Sequence, residues 1–134
     1  LHLQREALLL VVYTSKTGNV ARFVARLGLP ALRLGDGTEK IAEPCLLITY
    51  TTGFGQVPPE VLRFVENNRH LIVGVAASGN RNWGANFARA ADLLAERYGI
   101  RVIHKFELSG TARDIEIIKE AIHALSGTEQ CAVA

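Results

Sequence analysis

Cysteine is scarce in this chain: Cys45 and Cys131 are the only two, and they form no Cys-x-x-Cys pair or other metal or redox spacing. Cys45 opens an apolar run and reads as a buried small hydrophobe; Cys131 falls in an expected tail. No apolar run reaches the length of a membrane span. Residues 7–13, preceded by a single arginine and followed by no small-residue cleavage site, read as a strand rather than a signal peptide. A cytoplasmic protein without a membrane partner is therefore expected. Excess charge is missing too: 15 Lys+Arg against 13 Asp+Glu leave +2. With the arginines scattered, that is too little for a nucleic-acid-binding face. There is no internal repeat, no low-complexity segment and no nucleophile–base–orienter set. His2, His70, His104 and His123 sit on a terminus, a strand approach, an edge strand and a helix, and read as solvated or structural. With 134 residues, 49% apolar and 21% charged, the chain 1–134 is expected to be a single domain with a real core.

The stretch that organises the rest is Leu8-Leu9-Leu10-Val11-Val12-Tyr13 followed by Thr14-Ser15-Lys16-Thr17-Gly18-Asn19. The first half is unbroken apolar sequence, as in a strand buried on both faces of a parallel sheet. The second is small, hydroxylated and glycine-containing. It leads into Val20, Phe23, Val24 and Leu27, the stripe of an amphipathic helix. A strand, a hydroxyl-rich loop and a helix N-terminus form a place for an anion, because free N–H groups and the helix dipole converge there. The loop lacks the Gly-x-x-x-x-Gly-Lys-Ser/Thr frame of a Walker loop and the Gly-x-Gly-x-x-Gly of a dinucleotide fold. A site for a terminal phosphate monoester remains, beside an equally weighted reading as an ordinary βα turn.

Four more strands follow. Ala31-Leu32-Arg33-Leu34 is short and charged, so an edge. Cys45-Leu46-Leu47-Ile48-Thr49-Tyr50 and Leu71-Ile72-Val73-Gly74-Val75-Ala76 are apolar and central. Arg101-Val102-Ile103-His104-Lys105-Phe106 is a second edge. Helical stripes alternate with them: Val61, Phe64 and Val65 after Pro58-Pro59; Phe87, Ala90, Ala91 and Leu94; and Ile115, Ile118, Ile122 and Leu125. Only the connection between the second and third strands lacks one. Alternation implies an α/β fold with a doubly wound five-stranded parallel sheet. Central and edge strands satisfy the order 2-1-3-4-5, whose switch point lies between strands one and three.

Three polar, glycine-rich loops then share one edge. Gly53-Phe54-Gly55 and Trp83 offer flat aromatic surface and bare backbone; Asn80 and Asn82 offer amides. Singly, Trp83 reads as packing, the asparagines as turn formers and Tyr50 as core or site. Together on adjacent loops they suit a planar, polar-edged ring with a phosphate tail, and FMN is such a ligand.

Over residues 8–125 the chain resembles the NrdI family, flavodoxin-like proteins that accompany class Ib ribonucleotide reductase. The resemblance is carried by Ser15-Lys16-Thr17-Gly18-Asn19 with Phe23-Val24, Thr49-Tyr50-Thr51-Thr52-Gly53-Phe54-Gly55, Ser78-Gly79-Asn80-Arg81-Asn82-Trp83-Gly84, and Phe106-Glu107-Leu108-Ser109-Gly110-Thr111 with Asp114. It implies FMN as cofactor, with residues 15–19 on the phosphate and residues 49–55 and 78–84 around the ring; the residues themselves offer no metal site and no catalytic side chain. It implies the dimetal small subunit of the reductase as partner and a flavin reductant, such as a reductase or thioredoxin-like donor. It also implies a redox partner or maturation factor rather than a stand-alone enzyme: reduced flavin reacts with oxygen, and the oxidant serves assembly of the dimanganese-tyrosyl radical cofactor. For residues 106–111 the reading is an edge strand and a helix cap, Thr111 with Asp114. Two alternatives stand beside this one: a general flavodoxin-type electron carrier, against which the slightly basic charge and short loops count, and a non-redox phosphate-binding or receiver-like module, against which the lack of acidic residues at the strand ends counts.

Overall fold

The computed structural model describes residues 9–133, with side chains as far as Ser126. Residues 1–8, with His2 and the expected strand start at Leu8, lie outside the described residues, as does the side chain of Cys131. Five strands, β1 (Leu10–Tyr13), β2 (Ala31–Arg33), β3 (Cys45–Tyr50), β4 (Ile72–Gly79) and β5 (Val102–Glu107), form one sheet in the order β2-β1-β3-β4-β5. All four pairings are parallel. The helices are α1 (Asn19–Leu27), α2 (Pro59–Asn68), α3 (Arg89–Tyr98) and α4 (Ala112–Val133).

Alternate residues of the central strands feed opposite faces, as the pleat requires. Val11, Leu46, Ile48 and Ala76 pack against Val20, Phe23, Val24 and Leu27 of α1 and Ile115, Ile118 and Ile122 of α4. Val12, Cys45, Leu47, Val75 and Ala77 pack against Val61, Phe64 and Val65 of α2 and Ala91 and Leu94 of α3. The continuous apolar runs of β1, β3 and β4 reflect this double burial. Burial, helped by the charge of Glu43, pushes the Cys45 thiol up to about 12, so it is an inert packing group.

Three elements differ from the sequence expectation. β4 does not stop at Ala76 but runs on through Ala77, Ser78 and Gly79, because Ser78 and Gly79 still pair with Phe106 and Glu107 of β5. Phe87 stands before α3, not on its stripe: a 3-10 turn over Arg81–Asn86, kinked at Gly84, and a left-handed Ala88 precede the helix. α4 continues past Leu125 to Val133, so Cys131 lies within a helix and not a tail.

The connection from β2 to β3 is irregular but tied down. Buried Asn68 accepts from the Ile41 N–H (3.0 Å) and donates to the carbonyls of Glu39 (2.9 Å) and Phe64 (3.0 Å). The Glu39 carboxylate accepts from the Gly35 and Gly37 N–H groups. Polar groups buried with their bonds made thus hold this loop together with Leu34, in the core, and Ile41, packed against it.

Candidate functional site

β1 and β3 lead into loops on opposite faces of the sheet, and the gap between those loops, continued by the end of β4, opens a cleft of about 240 Å³. Ser15, Lys16, Thr17, Asn19 and Val20 line it from the first loop, Tyr50, Thr51, Thr52, Gly53 and Gly55 from the second, and Ser78, Gly79, Asn80, Trp83 and Asn86 from the third. Leu108, after β5, completes the wall.

The first loop turns into α1 through Gly18, at φ 94, which has no side chain to cap the helix. The Ser15 hydroxyl accepts from the Ala21 N–H (3.1 Å). None of the backbone N–H groups from Lys16 to Val20 finds an acceptor among the described residues. Successive free N–H groups at a helix start form an anion-binding concavity. Cations surround it. Arg33 of β2 donates to the Ser15 carbonyl (3.1 Å) and lies over the Tyr13 ring. Arg22 donates to Asn19 Oδ1 (2.6 Å) and Ser109 Oγ (3.3 Å). Among the described residues, Lys16, Arg22, Arg26 and Arg33 form no ion pair with a carboxylate.

In the second loop an isolated bridge closes Thr52 on Gln56, with N–H to O distances of 3.0 and 2.7 Å. Gly53 (φ 56) and Gly55 (φ 93) make this tight return possible. Phe54 at its tip is 76% exposed and meets half-exposed Trp83 edge to face, with centroids 6.0 Å apart. In the third loop Asn80 accepts from the Asn82 N–H (2.9 Å) and so caps the turn that carries Trp83. Gly79 lies so close to the start of α3 that a Cβ there would stand 2.4 Å from the Ala88 nitrogen.

Of the residues singled out from sequence, Thr49 is fully buried in β3, its hydroxyl donating to the Tyr50 carbonyl. Gly18 shapes the first loop without lining the cleft, and Phe54, Asn82 and Gly84 stand outside the lining. Three lining residues, Val20, Asn86 and Leu108, were not among them. Nor was Glu60, in the first turn of α2, whose Oε2 accepts from the hydroxyls of Thr14 (2.7 Å) and Tyr50 (3.0 Å). Burial pushes the Tyr50 phenol up to about 12, reinforced by its bond to Glu60 and that residue's charge. Burial also raises the Glu60 carboxyl. The hydrogen bonds from Thr14, its own backbone and Tyr50, with the charge of Arg63, outweigh this and leave it below the ordinary value. A carboxylate beside a helix N-terminus and two hydroxyls therefore stays ionised beneath the cleft.

The segment after β5 joins the first and third loops. Phe106 stacks on Phe23 of α1 at 4.0 Å. The Ser78 hydroxyl donates to the Leu108 carbonyl (2.7 Å), and Ser109 donates to Asn19 Oδ1 (2.9 Å). Thr111 and Asp114 cap α4 reciprocally: the Thr111 N–H and hydroxyl donate to Asp114, and the Asp114 N–H donates to the Thr111 hydroxyl. His104 meets the same carboxylate at 2.7 Å, a structural pairing. Exposed His70 and His123 stand apart from the cleft.

Residues 11–120 match the family described as NrdI Flavodoxin like. The chain belongs to that family. It is 49% identical to Protein NrdI of Bacillus licheniformis over 112 residues, 84% of this chain and 86% of the relative. It is 40% identical to Protein NrdI of Macrococcus caseolyticus over 118 residues, 88% and 92% of the two chains. The fold of this NrdI-family chain is shared with oxidised Flavodoxin 2 from Bacillus cereus (TM-score 0.65, 22% identity, covering 92% of this chain and 99% of that one). It is also shared with a short-chain flavodoxin associated with a bacterial microcompartment (TM-score 0.63, 23% identity, 90% and 97%). No helix among the described residues is long and apolar enough to cross a membrane.

Proposed function

We propose that this chain binds FMN in the cleft and serves as the flavin activator of a class Ib ribonucleotide reductase. The observation that carries the reading is the run of free N–H groups from Lys16 to Val20 at the mouth of α1, in a chain of the NrdI flavodoxin-like family. Those groups, with the Thr17 hydroxyl and the Lys16 ammonium, suit a phosphate monoester. The backbone of Gly53, Gly55 and Gly79, the amides of Asn80 and Asn86, and the rings of Tyr50 and Trp83 suit a flat ring with polar edges. Bound FMN would supply the redox chemistry, electron transfer to oxygen in the service of the dimanganese-tyrosyl radical cofactor of the small subunit, with a reductase or thioredoxin-like donor as its source of electrons. The protein's own residues hold the phosphate, clamp the ring and leave one edge open. The exposed Phe54–Trp83 pair would stand near that edge, Trp83 lining the cleft.

The test is radical yield, read by electron paramagnetic resonance, in a manganese-loaded class Ib small subunit with oxygen and reduced FMN-loaded protein. Yield should depend on this protein. A yield unchanged by its omission refutes the activator role; equal electron delivery to unrelated acceptors favours a general carrier.

A further inference from the structure

The turn after β5 holds a residue that neither its backbone nor its burial explains. Glu107 to Gly110 is closed by a hydrogen bond from the Gly110 N–H to the Glu107 carbonyl (2.8 Å). Its second residue, Leu108, has φ 53. A positive φ at that place in a turn is normally taken by glycine, asparagine or aspartate, because a Cβ is strained there. Burial of Leu108 is incomplete: it is 46% exposed and belongs to neither core cluster. The surroundings nevertheless fix it. Its N–H donates to the Gly79 carbonyl (3.0 Å) and its carbonyl accepts from the Ser78 hydroxyl (2.7 Å). One residue on, Ser109 is bound to Asn19 and Arg22, and Arg26 donates to the Gly110 carbonyl (3.2 Å). An apolar side chain is thus held in a strained conformation, half in solvent, on the wall of the cleft. Strain kept in place by its surroundings at a binding site points to a role in binding.

We propose that Leu108 is a ligand-contact residue that covers the ring end of the flavin. The inference rests on the FMN reading and adds the fourth segment, after β5, to its site. The ring end is indicated because the Leu108 backbone is fastened to Ser78 and Gly79, on the β4 side of the cleft, and because an apolar side chain complements a flat ring and not a phosphate.

The test compares the wild type with Leu108→Gly and Leu108→Asn, whose backbones both tolerate the observed φ. FMN and riboflavin are titrated by flavin fluorescence, and the flavin-free proteins are melted. Both variants should melt at or above the wild-type temperature and bind FMN and riboflavin about tenfold more weakly, the scale of covering half a leucine side chain. Wild-type protein that binds neither flavin overturns the FMN reading and this inference with it. Wild-type binding with both variants within twofold overturns the inference and leaves the FMN reading standing. A loss confined to FMN would put Leu108 at the phosphate, and a lowered melting temperature in both variants would make it a packing residue; either result also overturns the inference.

Discussion

Replacing Glu60 by alanine tests whether the polar node beneath the cleft is structural in the way its geometry implies. One carboxylate oxygen takes two hydroxyl donors, Thr14 at 2.7 Å and Tyr50 at 3.0 Å. Hydrogen bonds to a charged partner contribute on the order of 1.5–3 kcal/mol each, but Glu60 is partly exposed and screening reduces this to about 1 each. Thr14 is only 2% exposed, so its orphaned hydroxyl adds a desolvation cost of roughly 1 kcal/mol. The sum, ~2–3 kcal/mol, corresponds to a fall of about 7–11 °C in Tm for a chain of this length. Glu60→Gln keeps an oxygen that can accept both hydroxyls and loses only the charge, so it should cost about 1 kcal/mol at neutral pH. The carboxyl is held below its ordinary value of 4.5 in the folded protein. Its charge therefore stabilises above the unfolded value, and that contribution fades as pH falls through the lower folded value. The gap between wild type and Glu60→Gln should close over the same range. Thermal melts of flavin-free protein at stepped pH measure both quantities. A Glu60→Ala variant within about 1 °C of wild type, or a Glu60→Gln gap that persists in acid, refutes the reasoning.

Thr17→Ala should weaken FMN by about tenfold and leave riboflavin unchanged, one charge-assisted bond to phosphate being of that size; equal losses in a fluorescence titration would reject the phosphate assignment. Gly79→Ala should destabilise by roughly 1–3 kcal/mol, since the new Cβ would meet backbone at Ala88 and not a side chain that can move; an unchanged melt would mean that β4 and α3 separate easily. Asp114→Ala should cost about 1–2 kcal/mol by undoing the α4 cap. Burial raises the Asp114 carboxyl, but its bonds from His104 and Thr111 leave it below its ordinary 3.8, so this loss should vanish as pH falls through the folded value; calorimetry across pH checks it.

The fold was legible because its signals are local and repeated. β1, β3 and β4 are unbroken apolar runs, β2 and β5 are interrupted by charge, and that contrast places centre and edge without any knowledge of tertiary contacts. The four residues of the α1 stripe are all buried. The site was legible only in part. Loops that follow a strand and carry glycine announce themselves, and the cleft-lining residues 15–17, 19, 50–53, 55 and 78–80 are legible that way. Leu108 and Asn86 were not: a leucine after an edge strand and an asparagine inside an irregular turn look ordinary until a positive φ or a fold of the chain brings them to the wall. Glu60 was hidden for another reason. An acidic residue in the first turn of a helix is commonplace, and only pairing across a sequence separation of 46 from Thr14 shows what it holds. Thr49 belongs to the second motif but still obeys the pleat: its buried side chain falls in the sheet and not in the cleft.

The same pleat explains how a chain with so little net charge can build two unlike ends of one cleft. At the α1 end the side-chain cations are spent on neutral oxygens: Arg33 on the Ser15 carbonyl, Arg22 on Asn19 and Ser109, Arg26 on the Gly110 carbonyl. A guanidinium that meets a carbonyl or amide keeps its charge uncompensated, so the field at the free N–H groups from Lys16 to Val20 stays positive. Beneath Tyr50, at the end of β3, the reverse holds. Glu60 is satisfied by hydroxyls, and its negative charge is likewise uncompensated by direct pairing. Placing the two charges on opposite sides of the sheet switch point leaves one end favourable to an anion while the other fixes the Tyr50 phenol by its hydroxyl. The positive end comes from α1, β2 and the first loop and the negative one from α2, and α1 and α2 pack on different faces of the sheet. The two faces meet in the β1–β3 register. That register, with Val11 beside Leu46 and Val12 beside Leu47, is fixed by the deepest side chains of both cores.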